Sequence, residues 1–380
     1  MSKGPTLETS TIVFNYPGCS RPGLKALARR YRRANLTQDL QTGLTLIFTH
    51  GGTSRTPFHI YSALEIVHSS WADKEVWEPV IQVLLGLPVT EKSSARQNVP
   101  VIREAWSLEW QNHGESAIVN HSILTNGHSC LSLREWEAAV RHFAIMKSQQ
   151  GHQLVGIGHS VGACTMVSDR MKHYSLRSTM SLPPGVPVPY SAMIFVEDSL
   201  STRAAWDMPG DPFRRNLDAA RNASGTRRGT WTDRQQAYDF LSRDKLYVAW
   251  DKRISDLFLC YCLRDTLPSE RGHPGVTLAC SRTWEKAWYC EDEYELLLEA
   301  ADHLVTIDPA LDIHCVYGDR EDFIPQSAHD SILSVRRMAS VQRIPNAGHA
   351  VVQENPDEVA FCLKRILQNM AAKQPLISML

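Results

Sequence analysis

Gly158, His159, Ser160, Val161 and Gly162 set a serine between two glycines, directly after the apolar run Gln153 to Ile157 and directly before the small residues Ala163 to Met166. A buried strand that turns into a helix within one residue forces its corner residue into strained backbone, and side chains two positions to either side must vanish. Glycines at 158 and 162 meet that demand. The strain lifts the Ser160 hydroxyl to the carboxyl edge of a sheet, and the Val161 N–H, at the helix start, points where a tetrahedral oxyanion would form. A hydroxyl is a poor nucleophile at neutral pH, so this chemistry needs an imidazole to take its proton and a carboxylate to orient the imidazole.

His349 fits the base. It lies in Asn346 to Ala350, after the last core strand and before the final helix, and it alone among fifteen histidines combines a post-strand loop, a preceding glycine and a late position. The chain order serine, acid, histidine suits it. His159, beside the serine, is expected to pack, and His50 to order its own loop by hydrogen bonding. The acid is open between two places. In the run Gly318 to Pro325, spacing from the glycine and the proline selects Glu321, with Asp322 one step out of phase; Glu197 instead ends the preceding strand and would reach the same imidazole from a neighbouring strand tip. The second oxyanion donor is expected at Gly52, after the His50–Gly51 pair, with Thr53 to Ala72 as extra material that covers or displaces that loop. A serine at the corner argues against epoxide hydrolases and dehalogenases, which need a carboxylate there.

These residues require a sheet whose strands end together. Short apolar strands alternate with amphipathic helices, which points to a mostly parallel sheet covered on both faces. Strands are predicted at Leu44–Phe48, Val101–Trp106, Gln153–Ile157, Ser191–Val196, Ile313–Tyr317 and Val341–Ile344. Helices are predicted at Lys74–Leu85, Leu133–Lys147 and Pro356–Ala372. Leu24–Arg33 is ambiguous, helical by propensity and extended by position. Residues 199 to about 300 are rich in Arg, Asp, Trp and Tyr, with helical segments and no strong strand. They read as a lid inserted between two parts of the core, residues 1–198 and 301–380, and Trp206, Trp231, Phe240, Tyr247 and Trp250 would line an acyl pocket beneath it or form its core.

The 380 residues, 43% hydrophobic and 21% charged, suffice for one large core plus an inserted lobe. A formal net charge of −1 favours neither nucleic acid nor an anionic membrane surface, and Arg29 to Arg33 reads as a solvated face. No apolar run approaches the roughly 20 residues that cross a bilayer, and Met1 to Ser10 lacks a signal-peptide pattern, so a soluble, unsecreted protein is expected. Nine cysteines without a CxxC pair suit free thiols in a reducing compartment. No structural zinc and no cofactor are expected.

Further stretches carry a resemblance beyond the fold: Leu46 to Gly51, Lys74 to Pro79, Asn112 to Ala117, Val155 to Gly162, Ile194 to Glu197, Trp231 to Arg234, and Trp250 with Asp251. Over about residues 40 to 365 the chain resembles the fungal α/β-hydrolases of secondary metabolism and toxin biosynthesis, a group that includes the peroxisomal acyl-CoA hydrolase of mycophenolic acid biosynthesis. The resemblance implies the α/β-hydrolase fold and a serine hydrolase acting on acyl thioesters or carboxylic esters. It also implies a triad acid after the sixth strand, at Glu197, which favours that residue over Glu321. The chain departs from the family in the Thr53 to Ala72 insert and the long Ser175 to Tyr190 link. Its end, Ser378, Met379, Leu380, differs from a peroxisomal import signal at the middle position, and is read as a variant address for the import receptor or as an accident of composition. A lipase-like enzyme and a silent accessory protein are the alternatives.

Overall fold

The computed structural model describes residues 7–34, 43–52, 72–86, 101–126, 131–167, 189–224, 228–268, 270, 274–288 and 291–373. Most of both inserts, at 53–71 and 175–188, and the tail Ser378 to Leu380 lie outside these residues.

The strands are β1 (Leu7–Phe14), β2 (Ala26–Arg33), β3 (Leu44–Thr49), β4 (Ile102–Glu109), β5 (Gln153–His159), β6 (Tyr190–Val196), β7 (Thr230–Trp231), β8 (Leu263–Asp265), β9 (Val276–Leu278), β10 (Asp312–Gly318) and β11 (Ser340–Ile344). Eight of them form one sheet in the order β1-β2-β4-β3-β5-β6-β10-β11. From β4 to β11 every pairing is parallel; β2 runs antiparallel to both β1 and β4. A strand covered on both faces reads as a continuous apolar run, and successive side chains alternate between two cores. β3 does this: Ile47 enters one buried cluster with Trp136, Phe143 and Leu297, while Leu46 and Phe48 enter the other with Trp77, Leu363 and Leu367. The first cluster is covered by helices Leu133–Gln149, Val161–Val167 and Glu291–Thr306, the second by Glu78–Gly86 and Pro356–Lys373.

The ambiguous segment Leu24–Arg33 resolves into β2. Its residues favour helix, but ladders to β1 on one side and β4 on the other occupy its backbone groups and override a propensity worth tenths of a kcal/mol per residue. Between 199 and 300, where no strong strand is expected, helices predominate among the described residues and β7, β9 and β8 add a small antiparallel sheet in that order. Strands of two and three residues are too short to carry a period-2 signal. The aromatic residues of this region are mostly core: Trp206, Trp231, Tyr247 and Trp250 are buried, whereas Phe240 is exposed. Among the described residues no helix is long and apolar enough to cross a membrane, and Cys19, Cys164, Cys260, Cys262, Cys280, Cys315 and Cys362 are free thiols.

Candidate active site

β5 ends at His159, and the chain enters the helix Val161–Val167 through Ser160, whose φ of 56° lies in the left-handed region. The corner is possible because its flanking glycines are in backbone contact. A Cβ on Gly158 would come within 2.5 Å of the Ala163 nitrogen, and one on Gly162 within 2.6 Å of the His50 carbonyl oxygen. The second contact sets the His50–Gly51–Gly52 loop beside the elbow helix, with Gly52 itself buried. Val161, the first residue of that helix, is buried as well.

The neighbouring strand repeats the device one position over. β6 ends at Val196 and is followed by Glu197, another non-glycine residue in the left-handed region, at φ 47°. Register explains the juxtaposition: His159 pairs with Val196 and Val196 with Val316, so Ser160 and Glu197 leave adjacent strands at the same level. Ladder hydrogen bonds hold both corners, from Ser160 N–H to the Val196 carbonyl at 3.0 Å and from Glu197 N–H to the Val316 carbonyl at 2.9 Å. Two strained non-glycine residues, together worth a few kcal/mol, persist because their surroundings over-determine them.

His349 arrives from the loop after β11. Its Nε2 lies 3.0 Å from Ser160 Oγ, and its Nδ1 lies 3.3 Å from Glu197 Oε2. The Gly318 N–H donates to the other carboxylate oxygen, Oε1, at 2.6 Å, leaving Oε2 for the imidazole. Of the three candidate carboxylates, Glu197 faces the ring. Asp322 holds the main chain instead: its Oδ1 accepts the His349 N–H at 2.9 Å, and a Cβ on Gly348 would overlap its Oδ2. Glu321 is exposed and accepts the N–H of Gln326 at 3.2 Å, at the start of the helix Gln326–Val335.

His159 and His50, the other two histidines singled out from the sequence, hold main chain around the site. His159 Nε2 donates to the His349 carbonyl at 2.8 Å, and burial pushes its pKa down to about 3, so it stays neutral. His50 Nδ1 donates to the Gly51 carbonyl at 2.6 Å while its Nε2 accepts the Trp110 N–H at 3.2 Å.

Two groups escaped the sequence reading. Ser199 Oγ lies 2.9 Å from Ser160 Oγ, and His329 Nε2 sits 3.8 Å from Glu197 Oε2, its ring stacked on Tyr317. Nothing in the local sequence marks them, because each reaches the site through sheet order and helix packing.

Burial dominates the electrostatics. It raises the Glu197 carboxyl to about 7 against the lowering effect of His329 and the Gly318 N–H, and it lowers His349 to about 4 against the raising effect of Asp322. Ser160 and His349 are 3% and 0% exposed. Such a site disfavours any net charge until a reacting group brings its own. The arrangement can move a proton from the serine to an imidazole oriented by a carboxylate. Among the described residues, no three His, Cys, Asp or Glu side chains are placed to share a metal ion.

The family model described as the alpha/beta hydrolase family matches residues 46–360. No curated protein matches the chain significantly. Among solved structures, the peroxisomal alpha-beta-hydrolase Lpx1 from Saccharomyces cerevisiae superposes with a TM-score of 0.67 at 15% identity, over 99% of this chain and 92% of that one. E-2-(acetamidomethylene)succinate hydrolase gives 0.58 at 13% identity, over 94% and 98%. The thioesterase domain from the curacin biosynthetic pathway gives 0.52 at 13%, over 96% and 99%. At such identities the likeness is one of fold.

Proposed function

Because the chain belongs to the alpha/beta hydrolase family, we propose that it is a serine hydrolase that cleaves a carboxylic ester or acyl thioester through an acyl-enzyme. The observation that carries this reading is the line from Ser160 Oγ to His349 Nε2, 3.0 Å, and from His349 Nδ1 to Glu197 Oε2, 3.3 Å. His349 takes the Ser160 proton as Oγ attacks the acyl carbonyl, and Glu197 stabilises the imidazolium that forms. Val161 N–H and Gly52 N–H are the proposed donors to the oxyanion. Collapse expels the thiol or alcohol with the proton from His349, and water, activated by the same imidazole, releases the acid.

A fluorophosphonate probe tests the reading. Wild type should be labelled and Ser160→Ala should not; a well-folded wild type that resists the probe supports a silent accessory protein instead. Turnover of acyl-CoA, p-nitrophenyl ester and triglyceride then divides thioesterase, esterase and lipase. Expected turnover is of acyl-CoA or short ester, following the sequence resemblance to fungal hydrolases of secondary metabolism.

Ser378, Met379 and Leu380 are proposed as a variant peroxisomal address, in keeping with the name of the yeast structural neighbour. A fluorescent fusion that stays diffuse in the cytoplasm would refute it.

A further inference from the structure

The nucleophile has a second hydrogen-bonding partner that the proton relay leaves unexplained. Ser160 Oγ is 3.0 Å from His349 Nε2 and 2.9 Å from Ser199 Oγ, and it owns one proton. The direction of every bond follows from the far end. Glu197 Oε1 is taken by the Gly318 N–H, so Oε2 accepts from His349 Nδ1–H, and the neutral imidazole keeps its lone pair on Nε2. Nε2 therefore accepts the Ser160 proton. Ser160 Oγ has only lone pairs left for Ser199, whose hydroxyl must be the donor.

The position is built rather than incidental. Ser199 is 1% exposed and lies in the segment Glu197 to Ser201 that leaves β6. That segment is pinned residue by residue. The Glu197 N–H is bonded to Val316, the Asp198 carboxylate accepts from Tyr317 Oη at 3.0 Å and from the Leu200 N–H at 3.2 Å, and the Ser199 main chain is bonded to the Cys164 sulfur on the elbow helix. The loop thus carries the acid at one position and, two residues later, a hydroxyl on the nucleophile.

We propose that Ser199 is a further catalytic residue, donating a hydrogen bond to Ser160 Oγ that strengthens as that oxygen gives up its proton. This inference rests on the serine-hydrolase reading. In the step, the Ser160 O–H bond breaks, its proton goes to His349 Nε2, the Oγ–carbonyl carbon bond forms and the carbonyl π pair moves to oxygen; the Ser199 O–H bond stays intact. A hydrogen bond to a developing alkoxide is roughly twice as strong as one to a neutral hydroxyl, so it lowers the barrier more than the ground state. The site needs the help because burial makes His349 a weak base.

The rate constant for fluorophosphonate labelling of Ser160 is the readout, because it isolates attack from deacylation. Ser199→Ala should label about 10- to 100-fold more slowly, a smaller loss than the roughly 10²- to 10³-fold that removing a donor to the oxyanion itself costs. Ser199→Thr, which keeps the hydroxyl, should label at least tenfold faster than Ser199→Val, which matches it in volume; that pair decides the matter if the alanine variant does not fold. Labelling of Ser199→Ala within twofold of wild type, or of the valine variant as fast as the threonine variant, overturns the role of Ser199 and leaves the serine-hydrolase reading intact. Failure of wild type to label at all sinks that reading, and this inference with it.

Discussion

At the scale of single residues, burial strips the Glu197 carboxylate of the solvation it would have in water. Its carboxyl rises from 4.5 to about 7, first because it is buried, so the folded state binds that proton more tightly than the unfolded chain does. The contribution to stability is full below about 4.5 and is lost as pH climbs through about 7. At about 1.4 kcal/mol per pKa unit, the ionised carboxylate costs on the order of 3 kcal/mol at pH 8. Glu197→Gln should therefore be more stable than wild type in urea unfolding at pH 8, with the gain shrinking towards pH 5, while its activity falls on the order of 10³-fold or more for want of an ionised partner to the imidazole. A variant that is both inactive and less stable at pH 8 would refute the account. On the serine-hydrolase reading, wild-type kcat/KM should rise with pH to a plateau above about 7, because the buried Glu197 must ionise before it can stabilise a protonated His349. His349, held near 4 by burial, stays neutral throughout that limb.

At the scale of elements, the three carboxylates separate by what their loops do. Glu321 is exposed and accepts the Gln326 N–H at the N-terminus of the helix Gln326–Val335, so Glu321→Ala should keep activity within about twofold. Asp322→Ala removes the acceptor that fixes the His349 main chain and should lower kcat about 10- to 100-fold, since small displacements of a catalytic group carry such losses. Steady-state kinetics on purified, folded variants separates the two. The elbow was legible because its signal is local: Gly158 and Gly162 stand in backbone contact within a few residues of the serine they serve. His349 was legible for a related reason, as a glycine-preceded histidine just past a strand. The acid could not be chosen from spacing alone, because Glu321 satisfies the chain geometry of its loop. What sets Glu197 rather than Glu321 beside the imidazole is the place of β6 between β5 and β10, one strand from the serine, and strand order is a long-range property. The same limit hid Ser199, His329 and the three short strands of the insert. β2 stayed ambiguous for a third reason, that its partners β1 and β4 supply the order its own residues do not favour.

At the scale of the whole molecule, the inserted region is tied to the core at points that also carry the site. The Asp251 N–H donates to the Gln353 carbonyl at 2.8 Å, in the turn of helix that follows His349, and Arg253 pairs with Asp357 at 3.0 Å. Cys262 donates its thiol proton to Asp73 at 2.7 Å, which anchors the insert to a buried cluster of charge. There Lys74 Nζ, fully buried, lies 3.0 Å from Glu75, 3.2 Å from Glu109 and 3.1 Å from Glu115. Removing one partner of a buried ion pair leaves the others uncompensated, at about 3–5 kcal/mol. Lys74→Met should therefore destabilise the protein by that order at pH 8. Part of the loss is relieved at lower pH, because burial already raises Glu109 to about 7 and, without the opposing ammonium, it rises further and neutralises itself. The destabilisation should thus be smaller at pH 6 than at pH 8, a pH dependence that would be absent if Lys74 acted only by filling space. The insert should register the change first, since Asp73 belongs to the same cluster and holds Cys262. Alkylation of Cys262 by iodoacetamide, followed by peptide mass spectrometry to keep it apart from exposed Cys260, should quicken in Lys74→Met under conditions where the buried Cys164 and Cys315 stay protected. Equal protection of Cys262 in the variant and wild type would mean that the cluster stabilises the core without holding the insert.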